Sequence, residues 1–422
     1  MLTAVIDDDP TGTQSATGVT VLLDWDTAAI VAALRTRPGV YLQTNSRAIA
    51  PVEAVALARR AQQQLRAASR ELGQPILPVL RGDSTLRGHV FTESDVFTGE
   101  TGCVLFVPAF PQGGRTTVGS VHRVVIDGID TPVGQTEFAR DPVFGYRSSN
   151  LVDYVREKGG RRANPVPLDA LRESAGRAVA VALLAAGPGE FVVPDAVTDH
   201  DIDLIHTGLR EALTTRDDIV VRCAATLAAI CAGCLSTGYL DRPLVALRPG
   251  LLVVCGSHTS AATAQLAALT DRLGRQPVRI PTDEALADPV TAGLLAAERL
   301  RDDLRGHGFA VVSTERVRRP DHDSLRHGEL VNLALMNATA EVVDLVGTVV
   351  SKGGITSAEV ARTALRATRA RVRGQLAAGI SVWDYDDATV QVVVPGNVGG
   401  RDTLVDVISA MQDDPSIRLS HE

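Results

Sequence analysis

One layout recurs along this chain: a short apolar run, a polar or glycine-rich loop, then a segment with helical apolar spacing. Alternation of that kind builds a mainly parallel sheet with helices on its faces, so an α/β fold is expected. In the first instance Leu2-Thr3-Ala4-Val5-Ile6 runs directly into Asp7-Asp8-Asp9-Pro10-Thr11-Gly12. The acids therefore emerge at the carboxyl end of the first strand, where ligands bind in open α/β sheets. Three adjacent carboxylates repel one another, so a metal, arginines or a hydrogen-bonding substrate must offset them. The active site is expected here.

At 422 residues, 45% hydrophobic and 22% charged, the chain exceeds what one core usually serves. Two domains are expected, 1–243 and 244–422, joined near Pro243 to Pro249. The net charge of -8 argues against nucleic acid or an anionic membrane as the main partner and favours a small polar ligand. No window approaches the roughly 18 apolar residues that span a bilayer. Cys103, Cys223, Cys231, Cys234 and Cys255 show no disulfide spacing, and Cys231-x-x-Cys234 lies in an apolar stretch that reads as core. A cytoplasmic protein is expected, and a homo-oligomer is compatible with the sequence.

Val19 to Leu23, Val40 to Gln43, Ile76 to Leu80 and Val104 to Val107 read as strands, with helices over Trp25 to Arg35 and Pro51 to Leu72. Asp24 or Asp26 suits the first helix as a cap. The second of these strands ends in Ser46-Arg47 and the third in Arg81-Gly82-Asp83-Ser84-Thr85-Leu86-Arg87-Gly88. Asp8, Asp9, Ser46, Arg47, Arg81, Asp83, Ser84 and Arg87 thus gather at strand ends. Arginine forks fit carboxylates, and aspartates accept hydrogen bonds from sugar hydroxyls, so the set suits a polyhydroxy acid. The bland alternative pairs Asp83 with Arg87 or has them cap the next helix. Arg115, in the loop after Val107, is placed to close over the site. Beyond it, Gln135 to Asp141 reads as a helix, Arg177 to Ala185 and Phe191 to Pro194 as strands, and Asp201 to Thr214 and Ile219 to Leu240 as helices.

The second half repeats strand, small-residue turn and helix at Leu251 to Leu273, from Val342 to the helix after Thr356, and from Val390 to Met411. The turns hold Ser257 and Thr259, then Lys352, Gly353, Gly354 and Thr356, then Gly396, Asn397 and Gly399. Such turns let backbone N–H groups approach phosphate oxygens at a helix amino end, so a nucleotide phosphate site is expected. The chain has no Walker A loop or G-x-G-x-x-G. His258 reads as a capping or solvent-facing group.

In this order, Asp8-Asp9-Pro10-Thr11-Gly12, Asp83-Ser84-Thr85-Leu86-Arg87-Gly88, Pro108-Ala109-Phe110-Pro111 with Gly114-Arg115-Thr116, and Thr136-Glu137 with Asp141-Pro142 resemble the motifs of the four-carbon acid sugar kinases. The resemblance covers essentially the whole chain. It implies that the first domain binds a threonate, erythronate or 3-oxo-tetronate, that the second binds ATP with Mg2+, and that the active site lies in the inter-domain cleft. Asp8, Asp9 or Asp83 would accept the hydroxyl proton, and no magnesium ligands are identified. Two departures stand out: Ile355 replaces an acid common in the family, and Val394-Pro395 replaces Lys-Ser. Lys352 is the candidate to restore the lost positive charge. Two rivals remain at this point, a haloacid-dehalogenase-like phosphatase using Asp7 and a sugar-acid sensor without catalysis.

Overall fold

The computed structural model describes residues 1–126, 128–244, 248–317, 324–386 and 388–411. The chain divides into two units, Met1–Leu235 and Ser236–Glu422. That division falls ahead of the expected linker, of which residues 245–247 lie outside the described residues.

The strands of the first unit are β1 (Leu2–Asp7), β2 (Thr20–Leu22), β3 (Gly39–Gln43), β4 (Ile76–Arg81), β5 (Cys103–Val107), β6 (Arg115–Val118), β7 (Val121–Ile126), β8 (Ile129–Pro132), β9 (Ala163–Val166), β10 (Phe191–Pro194) and β11 (Ile219–Cys223). Eight of them pair in parallel in the order β2-β3-β1-β4-β11-β5-β10-β9, and β6-β7-β8 form a separate antiparallel ribbon. The connections leave β1 toward β3 on one side and β4 on the other, so the ends of β1 and β4 flank a topological switch point. In open α/β sheets ligands bind at such points.

The local chemistry explains the elements that border it. Helix Pro51–Leu72 starts with proline at its first turn, has the Glu53 side chain accepting from Ala50 N, and stops at left-handed Gly73. Asp26 caps helix Thr27–Thr36, its carboxylate accepting from Ala29 N at 2.8 Å.

Several expectations need correction. Arg177–Ala185 is a helix, not a strand. Its buried residues, Val179, Ala180 and Leu183, recur at helical spacing while Val181 and Leu184 face out, and apolarity alone cannot distinguish the two periods. Ile219 to Leu240 is not one helix: β-branched Ile219, Val220 and Val221 form β11 between β4 and β5, and only Ala225–Cys231 is helical. Gln135 to Asp141 resolves into tight turns at Val133–Gln135 and Phe138–Arg140.

In the second unit β12 (Leu251–Cys255), β13 (Val278–Ile280), β14 (Phe309–Thr314), β15 (Thr348–Lys352), β16 (Arg369–Ala377), β17 (Ile380–Asp384) and β18 (Val390–Val394) follow the order β13-β14-β12-β15-β18-β17-β16. The pairs from β13 to β18 are parallel, and β17 runs antiparallel to both neighbours. The strand expected from Val342 starts later: Val343–Leu345 is a tight turn and β15 begins at Thr348, so Ser351 and Lys352 belong to the strand. Valines on the sheet faces pack against helices Ser260–Leu273 and Pro289–His307, which fixes the strand ends. Among the described residues no helix is long and apolar enough to cross a membrane.

Candidate functional site

At the switch point of the first unit, Arg81 stands opposite Asp7 in the β1–β4 register. Its Nη1 donates to Asp7 Oδ1 (3.3 Å), Asp8 Oδ1 (3.1 Å) and Asp9 Oδ1 (3.2 Å), and Nη2 donates to Thr11 Oγ1 at 3.1 Å. The mutual repulsion of the acids is thus met by an arginine. Arg81 stays more firmly protonated than usual: burial works against its charge, and Asp7, Asp8 and Asp83 outweigh it.

The three acids are not equivalent. Asp9 accepts from Thr11 N at 2.7 Å and from the Thr11 hydroxyl, and it pairs with Arg47. Asp7 is fully buried under Gly12, where an added Cβ would lie within 2.2 Å of both its carboxylate oxygens. Burial pushes its carboxyl up to about 8, with Arg81 opposing and Asp8 adding to the rise. Asp8 uses Oδ1 on Arg81, while its buried Oδ2 has no partner among the described residues.

Asp83 lies between two arginines, with Arg87 Nε at 2.7 Å and Arg47 Nη1 at 3.7 Å, and the Thr85 hydroxyl also donates to it. Burial favours its neutral form, yet Arg87 and Arg47 hold it well below the usual carboxylate range. The pairing of Asp83 with Arg87 is therefore present, and it forms part of a larger cluster rather than standing apart. Ser46 donates to Glu93 Oε1 at 2.5 Å, and Glu93 Oε2 takes Arg222 Nη1 at 2.5 Å. Ser84 is buried, its carbonyl accepting from His122 Nε2 at 2.8 Å. Arg115 is buried against its own loop, donating to Gly113 O, and burial lowers it to about 10.

Glu93 and Arg222 are buried members of the cluster that sequence reasoning misses. Arg222 sits in the segment read as helix, and Glu93 lies in helix Val90–Thr98, whose sequence carries no motif. A charged residue inside a β-branched run is the one available signal.

The second unit brings its three turns together through backbone and hydroxyl groups. Thr259 caps helix Ser260–Leu273, accepting from Ala262 N at 3.1 Å, and donates to Gly396 O at 2.5 Å. Ser257 N donates to Lys352 O (3.3 Å), and Gly353 N donates to Val394 O (2.8 Å). Gly353 has φ of 112°, and a Cβ on Gly396 would meet Ser257 Oγ at 2.5 Å, so these two glycines allow the turns to close on one another. Gln265 Nε2 holds Val398 O (3.1 Å) and Gly399 O (3.2 Å). Thr356 is buried beside Gly256, and Gly354 opens helix Gly354–Glu359.

Lys352 is fully buried and donates from Nζ to Pro395 O at 2.5 Å. It stands opposite Val394 in the β15–β18 register, the very position where the resemblance misses a lysine. Burial lowers its ammonium to about 7, and Cys255 is the group that opposes this. Arg316, beyond the segments read from sequence, donates to Ser257 O and adds a second cation at the turn. Cys231 and Cys234 are free thiols pushed by burial up to about 12, in keeping with packing rather than redox chemistry. Among the described residues no group of His, Cys, Asp and Glu is placed to hold a metal ion.

Comparison with known proteins bears on both units. Residues 3–231 match a family model described as a sugar-binding N-terminal domain, and residues 252–404 match one described as a nucleotide-binding C-terminal domain. A D-threonate kinase of Cupriavidus necator is 31% identical over 57% of this chain, an alignment that spans only 55% of that relative. A D-threonate kinase of Bordetella bronchiseptica is 27% identical, with 97% of each chain covered. Among solved structures, a Salmonella typhimurium protein aligns with a TM-score of 0.69 at 16% identity over 96% of this chain and 98% of that one. A Haemophilus influenzae protein aligns with a TM-score of 0.59 at 17% identity over 97% and 100%. At such identities the structural likeness speaks for the fold alone.

Proposed function

The chain belongs to the four-carbon acid sugar kinase family, and from that premise we propose that it transfers the γ-phosphoryl group of ATP to a terminal hydroxyl of a threonate, erythronate or 3-oxo-tetronate. The observation that carries this reading is the arginine–aspartate cluster at the β1–β4 switch point, which presents cationic forks and carboxylate acceptors side by side. That pairing of groups is what an acid bearing several hydroxyls requires.

Phosphoryl transfer asks the protein for alignment and charge neutralisation rather than covalent chemistry. Arg47, Arg81 and Arg87, with Ser46 and Ser84, orient the acid. Asp8 is the base: Asp9 is committed to Thr11 through Oδ1 and to the Arg47 ion pair through Oδ2, Asp83 is committed to Arg87 and Thr85, and Asp8 Oδ2 is buried with no hydrogen-bond partner among the described residues. Ser257, Thr259, Gly353, Gly354, Thr356, Gly396, Asn397 and Gly399 receive the nucleotide phosphates, with Lys352 supplying positive charge from the neighbouring strand. Magnesium neutralises phosphate charge when bound with ATP. The hydroxyl and amide oxygens of these turns are the groups that would help to hold it there.

A phosphatase using Asp7 fits poorly, because Gly12 covers the carboxyl that would have to be phosphorylated. A non-catalytic sensor has no observation in its favour. The test is coupled ADP release from the purified protein with ATP and magnesium, across D- and L-threonate, D- and L-erythronate and 3-oxo-tetronates. Turnover of one acid is expected; binding of acids without ADP release from any of them overturns the kinase reading.

A further inference from the structure

Arg222 divides its guanidinium between two environments. Nη1 is paired with Glu93, whereas the buried Nη2 has no partner among the described residues. The guanidinium lies across the backbone of Gly82, where a Cβ would come within 2.6 Å of Nη2. A side chain at position 82 would displace it.

Asp8 Oδ2 is in the complementary state, a buried acceptor with no partner among the described residues. The two atoms converge on one point. A Cβ built on Gly88 would lie 3.2 Å from Asp8 Oδ2 and 3.7 Å from Arg222 Nη2, with no other neighbour within 4 Å. Strand geometry explains the meeting: Arg222 pairs with Leu80, and Leu80 with Ile6, so Arg222 and Ile6 share a pleat phase that Asp8 continues past the end of β1. Buried polar groups are nearly always satisfied, so an unpartnered donor and an unpartnered acceptor facing one small residue point to a ligand atom that serves both. A carboxylate oxygen accepts but cannot donate. An alcohol does both.

We propose that Arg222 is a catalytic residue that holds the oxygen of the substrate hydroxyl receiving the phosphoryl group. The assignment rests on the kinase reading above and deepens it. As that oxygen bonds to the γ-phosphorus, its proton passes to Asp8 Oδ2. The bond from phosphorus to the β,γ-bridging oxygen breaks, and its electron pair leaves with ADP. Arg222 Nη2 donates to the oxygen throughout and stabilises the negative charge it gains as the proton departs. Glu93 and Ser46 hold the guanidinium in place.

The test compares the wild type with Arg222→Lys, which keeps a cation for Glu93 but loses the second arm of the fork. Removing one donor to a developing oxyanion lowers kcat by about 10²- to 10³-fold, and that loss is expected here. Calorimetry adds a readout that a packing role would not move. Wild type should bind the acid it phosphorylates about tenfold more tightly than the 4-deoxy analogue, the value of one such hydrogen bond; Arg222→Lys should bind the two alike. Should Arg222→Lys not fold, Glu93→Gln carries the comparison: its amide oxygen can accept from Arg222 and its amide N–H can donate to the Ser46 hydroxyl, and a smaller kcat loss with a narrowed preference is expected. Retention of both kcat and the preference in a folded variant overturns the assignment of Arg222 while leaving the kinase intact. Absence of turnover with any acid in the wild type overturns the kinase reading and this role together.

Discussion

The two units neutralise charge in opposite ways. In the first, charged side chains face one another: Arg81 touches three carboxylates, and Arg47 and Arg87 flank Asp83. In the second, peptide groups do the positioning, and Lys352 is buried against a carbonyl, with no carboxylate beside it among the described residues. The contrast follows from what each surface would recognise. A polyhydroxy acid is read by directional donors and acceptors, which side chains supply. Phosphates carry the same charge on every oxygen, and ranks of N–H groups at turns and helix ends suffice for them. The arginines and carboxylates of the first unit are therefore paired with one another, whereas Lys352 in the second unit meets a carbonyl.

The hardest blow to that picture is Arg81→Met. Removing one partner from a buried ionic cluster costs about 3–5 kcal/mol, so a much lowered denaturant midpoint is expected, together with loss of acid binding. A midpoint near that of the wild type would mean that the carboxylates balance without it. Next comes Asp8→Asn, which should lower kcat by about 10²- to 10⁴-fold with ATP affinity preserved. If Asp83→Asn gives the larger kcat loss instead, the base has been misassigned.

Lys352→Met probes the other side of the comparison. ATP affinity is expected to fall about tenfold, the usual scale for one charge-assisted contact, with the KM for the acid unchanged. Because the folded-state value of Lys352 is lowered from 10.5 to about 7, burying its charge costs stability below about pH 7, and that cost is relieved as pH rises toward the unfolded value. The variant should thus be at least as stable as the wild type near pH 6. Binding of a triphosphate should draw a proton onto Lys352, visible as proton uptake near pH 8 when calorimetry is repeated in buffers of different ionisation heat. No uptake would detach the lysine from the nucleotide.

The last effect, at Asp7, is read through pH alone. Its folded value is raised from 3.8 to about 8, so the folded state holds a proton that the unfolded chain has released. The stability this provides is complete below pH 3.8 and declines as pH rises through about 8. Asp7→Asn should flatten the decline of the thermal midpoint across that window, and an unaltered slope would show that Asp7 is ionised throughout.

How far the sequence spoke for itself depended on distance along the chain. Helix Pro51–Leu72 was legible because its proline, Glu53 and Gly73 act within a turn or two. The acids at the end of β1 and Arg81 at the end of β4 were legible because each follows an apolar strand. Arg222 was not, since β11 enters the sheet from far along the chain to lie between β4 and β5. The link from Ser46 through Glu93 to Arg222 joins residues on three separate elements, and no local pattern records it. Arg177–Ala185 failed for another cause: its residues satisfy either period, and packing of one face chose the helix.

Lys352 and Val394 stand side by side on neighbouring strands. A residue lost from one rung of a ladder can be made good from the rung beside it with hardly any displacement of the group that matters. Judged letter by letter against a motif, this chain lacks a lysine at position 394; judged by strand register, a lysine stands on the adjacent rung. Substitutions in sheets are better scored in pairs across the ladder than singly along the chain, because a missing letter on one strand can be supplied by its neighbour.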